Sequence, residues 1–132
     1  MENVKFTISN PKTKKDLSDR LLDFVVSIIK IADKLPNTVA GRHVGGQLIR
    51  AGTSSGSNYE EACGAESRSD FVHKMSVVLK ELKEGRFWLR VIQRTEMLSL
   101  THIEPALEEC NQLCAIMAKS IITAKNIRKR GD

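Results

Sequence analysis

The sequence predicts an all-α protein, an antiparallel up-down-up-down four-helix bundle, and three observations carry that expectation. Apolar or small residues recur at alternating spacings of four and three over long stretches, and no alternating strand pattern of any length interrupts them. The breaks between those stretches are short, and only three prolines occur in the chain. A length of 132 residues, 41% hydrophobic and 28% charged, suits one domain large enough to bury a real core.

The bundle is organised around the stretch from Ser69 to Thr95. Phe71, Met75, Val78, Leu82, Gly85, Leu89 and Ile92 form a seam with steps of four and three, the mark of a long amphipathic helix facing partner helices. Val77, Trp88 and Val91 widen that face. Lys80, Lys83, Arg86, Arg90 and Arg94 lie on the opposite side.

Residues 1–12, with Pro11 near their end, read as a flexible N-terminal arm, and the bundle itself as residues 13–128. The first helix is expected to start near Thr13 to Asp16 and to stop at Leu35, because Pro36 cannot continue it. Its seam is Leu17, Leu21, Phe24, Ile28, Ile31 and Leu35. Leu22, Val25, Val26, Ile29 and Ala32 add more apolar surface than one four-helix core can cover, which points to contact with another subunit.

The second helix is expected to begin after Asn37 or Thr38, either of which can cap it. Val44, Leu48, Ala51, Ser55, Asn58 and Ala62 would make its seam. Five glycines fall within it (Gly41, Gly45, Gly46, Gly52 and Gly56), each costing about 1 kcal/mol against alanine in a helix. Read alone, the segment 52–58 would pass for a loop; the alternative is that small side chains admit a close neighbour.

Ser67 or Ser69 is the expected cap of the third helix. A further break at Ser99 to Thr101 precedes the fourth, where Thr101 and Glu104 read as a capping box with Pro105 in the first turn. Ile103, Leu107, Cys110, Cys114, Met117, Ile121 and Ala124 form its seam. A basic run from Lys125 to Arg130 follows, with 129–132 as the tail end. Helices of about 20 to 27 residues joined by short turns make the bundle. Its core is expected to hold Leu21, Phe24, Ile28, Leu48, Val78, Leu82, Leu89, Cys114, Met117 and Ile121.

The net charge of +5 permits nucleic acid or an acidic protein as partner and requires neither. Three cysteines fit no disulfide framework and suggest a reducing cytoplasm. The N-terminus lacks the apolar core of a secretory signal, and the run Leu21 to Ala32 is too short and too charged to span a bilayer, so no membrane partner is expected.

Enzyme chemistry finds little support. Cys110 and Cys114, at i and i+4, could be metal ligands, but both lie on the core seam and neither CxxC nor HExxH accompanies them. A Cys63–His73 pair would need an oxyanion site and an orienting group, and no phosphate-binding glycine motif occurs. No catalytic residue, cofactor or metal is assigned. Asn58, Glu61, Arg68 and Ser69 read as a polar junction between helices two and three, with Glu61 and Arg68 positioned to pair across the turn.

The basic stripe is the strongest binding candidate. Between Lys74 and Arg94 stand six basic and two acidic residues. A solvated helix face is the ordinary meaning of such a stripe, and phosphate contact is its rival. The candidate nucleic-acid residues are Lys83, Arg86, Arg90 and Arg94, joined by Lys125, Arg128, Lys129 and Arg130 of the tail. Phe87 and Trp88 are expected to serve packing or an interface rather than base stacking. Glu104, Glu108 and Glu109 dilute the positive charge.

The segment from Arg50 to Ile92 resembles the four-helix-bundle family of 23S rRNA intervening-sequence proteins, once labelled S23 ribosomal proteins. The resemblance rests on Leu35-Pro36, Gln47-Leu48, Arg50-Ala51, Asn58, Glu61-Ala62, Ser67-Arg68, Asp70-Phe71, Lys80-Glu81-Leu82 and Trp88-Leu89, in matching order and spacing. At Glu60 and Gly64 the chain departs from the commoner pattern, which is basic there. The family is similar in turn to the accessory proteins of diversity-generating retroelements, which form pentameric barrels and bind a reverse transcriptase and nucleic acid. The resemblance implies a bundle in which the glycine-rich stretch is helical, a homopentamer, and no catalysis. RNA or DNA and a polymerase-type protein are the implied partners. Two function classes follow, a nucleic-acid-associated assembly protein and a protein-interaction scaffold.

Overall fold

The structure, a computed structural model, describes residues 16–129, with side chains through Ile127. The expected arm at 1–12, a helix start at Thr13 and the last residues 130–132 lie outside that range. Four helices make up nearly all of it: α1 (Leu17–Asp33), α2 (Val39–Cys63), α3 (Arg68–Thr95) and α4 (Leu100–Lys129). The fold is the expected all-α bundle. The 17 residues of α1 span about 26 Å and the 30 of α4 about 45 Å, so the helices differ in length more than their seams suggest.

Local chemistry sets most boundaries. The Asp16 carboxylate accepts from the Asp19 N–H at 2.9 Å, and Thr38 Oγ1 accepts from the Gly41 N–H at 3.0 Å. Ser67, not Ser69, caps α3 by accepting from the Asp70 N–H at 3.0 Å. Each satisfies one of the orphan donors of a first turn. α1 ends two residues before Leu35, where tighter bonds from Lys34 and Leu35 N–H to the Ile31 and Ala32 carbonyls close it ahead of Pro36.

The start of α4 differs from the expectation. Glu96 adopts a left-handed conformation at φ 59°, and Met97 N–H returns to the Ile92 carbonyl, ending α3. α4 therefore begins at Leu100, before Thr101. Thr101 forms no capping box there; its hydroxyl lies 3.0 Å from Ser99 Oγ, which also meets His102 Nδ1 at 2.8 Å. Pro105 is consequently in the second turn rather than the first, and α4 forgoes the hydrogen bond its N–H would have made.

The antiparallel register is visible in cross-helix pairs. His43 lies against Trp88, while Arg50, farther along α2, meets Glu84 and Glu81, earlier in α3. α2 packs most closely on α3 and α3 on α4, while α1 leans mainly on α2. A fork from Arg20 to Glu109 (3.0 and 2.8 Å), with Gln112 at 3.1 Å, ties α1 to α4.

All ten expected core residues are buried, with Tyr59, Ala106 and Leu113 beside them. The seam of α2 passes through Tyr59 instead of Asn58. A straight helix repeats every 3.6 residues, so a strict four-three alternation drifts off the buried face within a few turns. The glycine-rich stretch is helical because α1 sits on it. A Cβ on Gly52 would approach Ile28 Cγ2 to 2.8 Å, and one on Gly56 would approach Val25 Cγ2 to 2.9 Å. Tertiary packing outweighs weak propensity.

Candidate nucleic-acid interface

α3 places its basic residues by helical periodicity. Lys80, Lys83, Arg90 and Arg94 are all exposed and share the face turned away from the core. The two acidic residues of the same segment point elsewhere: Glu81 receives a bond from Arg50 Nη1 at 3.2 Å, and Glu84 pairs with Arg50 Nη2. The Arg50 hydrogen bond is the main reason the Glu84 carboxyl is held below its usual range, and the same contact raises Arg50. With both carboxylates held by Arg50, the exposed charged residues of α3 from Lys80 to Arg94 are all cationic.

Arg86 departs from the stripe. It is half-buried, and its Nη1 donates to Asn111 Oδ1 of α4 at 3.0 Å. There its charge acts on the Cys110–Cys114 pair. Cys114 is lowered, first by its contact with Cys110 and then by Arg86 and Lys83. Cys110 is raised by the same thiol contact and by burial, and its Sγ reaches the Leu82 carbonyl at 3.3 Å. Cys63 is also buried, and desolvation raises it, the opposite of an activated nucleophile; His73 is exposed. Among the described residues no three metal-ligating side chains come together.

The basic tail is remote from the stripe. Leu82 with Cys110, and Arg86 with Asn111, fix the register of α3 against α4. Lys125, exposed near the end of α4, therefore lies at the level where α3 begins. That is about 30 Å along the bundle from Arg90. Arg128 and Lys129 belong to the last turn of α4, and Arg130 lies outside the described residues.

The polar junction is at the tail end of the bundle. Asn58 donates to the Ser54 carbonyl of its own helix at 2.8 Å rather than to the turn. Glu61, Arg68 and Ser69 are exposed around that turn.

Two exposed apolar features stand beside these polar ones. Phe87 is 56% exposed, so of the two expected roles, packing or an interface, core packing is not the one it plays. Its ring stands edge-on to Trp88 at 5.0 Å, and Trp88, half-buried, contacts His43 at 5.8 Å and donates to Glu84 at 3.3 Å. The second feature is a row on the outside of α1, Leu22, Val26 and Ile29, at 61%, 41% and 39% exposure. This surplus was anticipated from the sequence, since with Val25 and Ala32 these residues were expected to exceed what one four-helix core covers. No helix among the described residues is long and apolar enough to cross a membrane.

The 23S rRNA-intervening sequence protein family model matches residues 14–119. The chain belongs to that family. Its fold is shared by the crystal structure of a protein with unknown function from the S23 ribosomal protein family of Bacteroides thetaiotaomicron VPI-5482. The two are 32% identical with a TM-score of 0.74, over 79% of this chain and 96% of the other. No curated protein matches the chain.

Proposed function

We propose that this family member is a non-enzymatic homo-oligomer that binds nucleic acid through the outward face of α3, as an accessory to a nucleic-acid enzyme. The observation that carries the reading is the separation of charge on α3. Lys80, Lys83, Arg90 and Arg94 face outward, and Glu81 and Glu84 are turned to Arg50. Contacts to phosphate fix position without reading sequence, so a partner would supply any preference. The apolar row Leu22, Val26 and Ile29 supports self-association, and closed cyclic symmetry satisfies such a repeated surface. The number five comes from the resemblance to pentameric accessory proteins. A ring would multiply the +5 of each chain fivefold.

The test is binding of a labelled oligonucleotide across a salt series, with light scattering to report assembly. Four neutralised phosphates give a log–log salt slope of about −2.8 on single strands. Lys83→Glu, Arg90→Glu and Arg94→Glu together should abolish binding and leave the assembly intact. Arg86 is spared because it ties α3 to α4. Absence of retention at low salt would refute the reading, as a stable monomer at micromolar concentration would refute the oligomer. The second reading, a protein-interaction scaffold, is favoured by the same α1 row and would then stand alone.

A further inference from the structure

An exposed aromatic ring in the middle of a cationic helix face calls for a physical reason. Phe87 is flanked on its own face by Lys83 at i−4 and Arg90 at i+3, with Lys80 and Arg94 one turn farther on each side. It is 56% exposed, while Phe71 is buried and Trp88 half-buried. Core packing does not require it there, and the nearest acidic side chain on α3, Glu84, is held by Arg50.

We infer that the ligand of this face is a single-stranded nucleic acid, with a base stacked on the Phe87 ring while Lys80, Lys83, Arg90 and Arg94 hold the flanking phosphates. The inference rests on the nucleic-acid reading above and adds the strand state and the stacking residue. Duplexes keep their bases inside the stack, out of reach of a ring on a convex helix. A single strand can turn its bases outward, and every base offers a π face. The row from Lys80 to Arg94 covers about 21 Å of helix, room for a few extended nucleotides. Trp88 meets the Phe87 ring from the side at 5.0 Å and is itself held by Glu84 and His43, so the ring has a supporting contact before a base arrives. A ring supported in this way loses less freedom on binding.

Trp88 is the only tryptophan in the chain and therefore reports on its neighbour. The experiment titrates the full chain with a labelled single-stranded RNA, a single-stranded DNA and a duplex of equal length, at low salt. Anisotropy and Trp88 emission are read together. The single strands should bind with a change in Trp88 emission. Phe87→Ala and Phe87→Leu should weaken them about 5- to 150-fold, the range for loss of one stacked base. Phe87→Tyr should retain binding, because it keeps the π face. Duplex binding should be the same in all four proteins. Preference for one of the two single strands would show a contact to the sugar and would leave the stacking inference standing. Equal binding of single strands by wild type, Phe87→Ala and Phe87→Leu would overturn the inference and leave the basic face a general phosphate binder. Loss in Phe87→Ala but not in Phe87→Leu would also overturn it, since that result means apolar contact without stacking. If wild type binds none of the three, the underlying reading falls as well.

Discussion

Replacing Gly52 by alanine tests whether packing against α1 explains the glycines of α2. The new Cβ would lie 2.8 Å from Ile28 Cγ2 and 3.2 Å from both Cβ and Cγ1 of the same residue. Ile28 is fully buried, and a β-branched side chain in a helix has essentially one χ1 rotamer, so it cannot swing aside. Overpacking of this kind costs about 1–3 kcal/mol. Alanine returns about 1 kcal/mol in helix propensity. The expected outcome is a net loss of about 1 kcal/mol. Gly46 supplies the control, because nothing lies within 4 Å of its hypothetical Cβ. Gly46→Ala should gain about 1 kcal/mol, since propensity then acts unopposed. Denaturant unfolding at one fixed protein concentration measures both. In an Ile28→Ala background the Cγ2 and Cγ1 contacts are gone and only the Cβ contact at 3.2 Å remains, so the loss caused by Gly52→Ala should shrink. The reasoning is refuted if Gly52→Ala stabilises the wild-type chain as much as Gly46→Ala does.

Two further outcomes follow from the core and the thiol pair. Leu82 is fully buried at the centre of α3, so Leu82→Ala should cost about 2–5 kcal/mol by leaving a cavity, read from the denaturation midpoint. The contact with Cys110 and the charges of Arg86 and Lys83 lower the Cys114 thiol in the folded chain, so below its ordinary pKa of 9.0 the unfolded state binds more protons and stability should rise with pH. Above pH 9 the raised thiols of Cys110 and Cys63 act in the opposite sense, and stability should fall. Cys114→Ser should flatten the rise below pH 9; a rise that persists unchanged would assign it to another group.

The seams of α1 and α3 were legible in the sequence, and the caps of α2 and α3 to within a pair of candidates (Asn37 or Thr38, Ser67 or Ser69), because each depends on residues within a turn or two of one another. Helical periodicity places Leu21, Phe24, Val78 and Leu82 on one side whatever partner they meet. The outward position of Lys83, Arg90 and Arg94 follows from the same local rule. The helicity of the Gly52–Asn58 stretch was not decided locally, since propensity opposes it and only the close approach of Ile28 and Val25 makes it favourable. Thr101 lost its expected cap to a left-handed Glu96, whose conformation an isolated segment disfavours.

The candidate interface divides in the same way. The sequence by itself determined that α3 carries a basic stripe opposite its buried seam. Only the tertiary structure decided which members remain available, because each helix meets neighbours whose register its own sequence does not contain. Arg86 turns to Asn111, Glu81 and Glu84 turn to Arg50, and the Lys125 end of α4 is carried about 30 Å from Arg90. Phe87 is exposed because α3 presents that side to neither α2 nor α4, whereas Trp88, one residue on and about 100° around the helix, is drawn against α2 by His43. Periodicity fixes the angle between two side chains on a helix; the neighbouring helices fix which angle is covered.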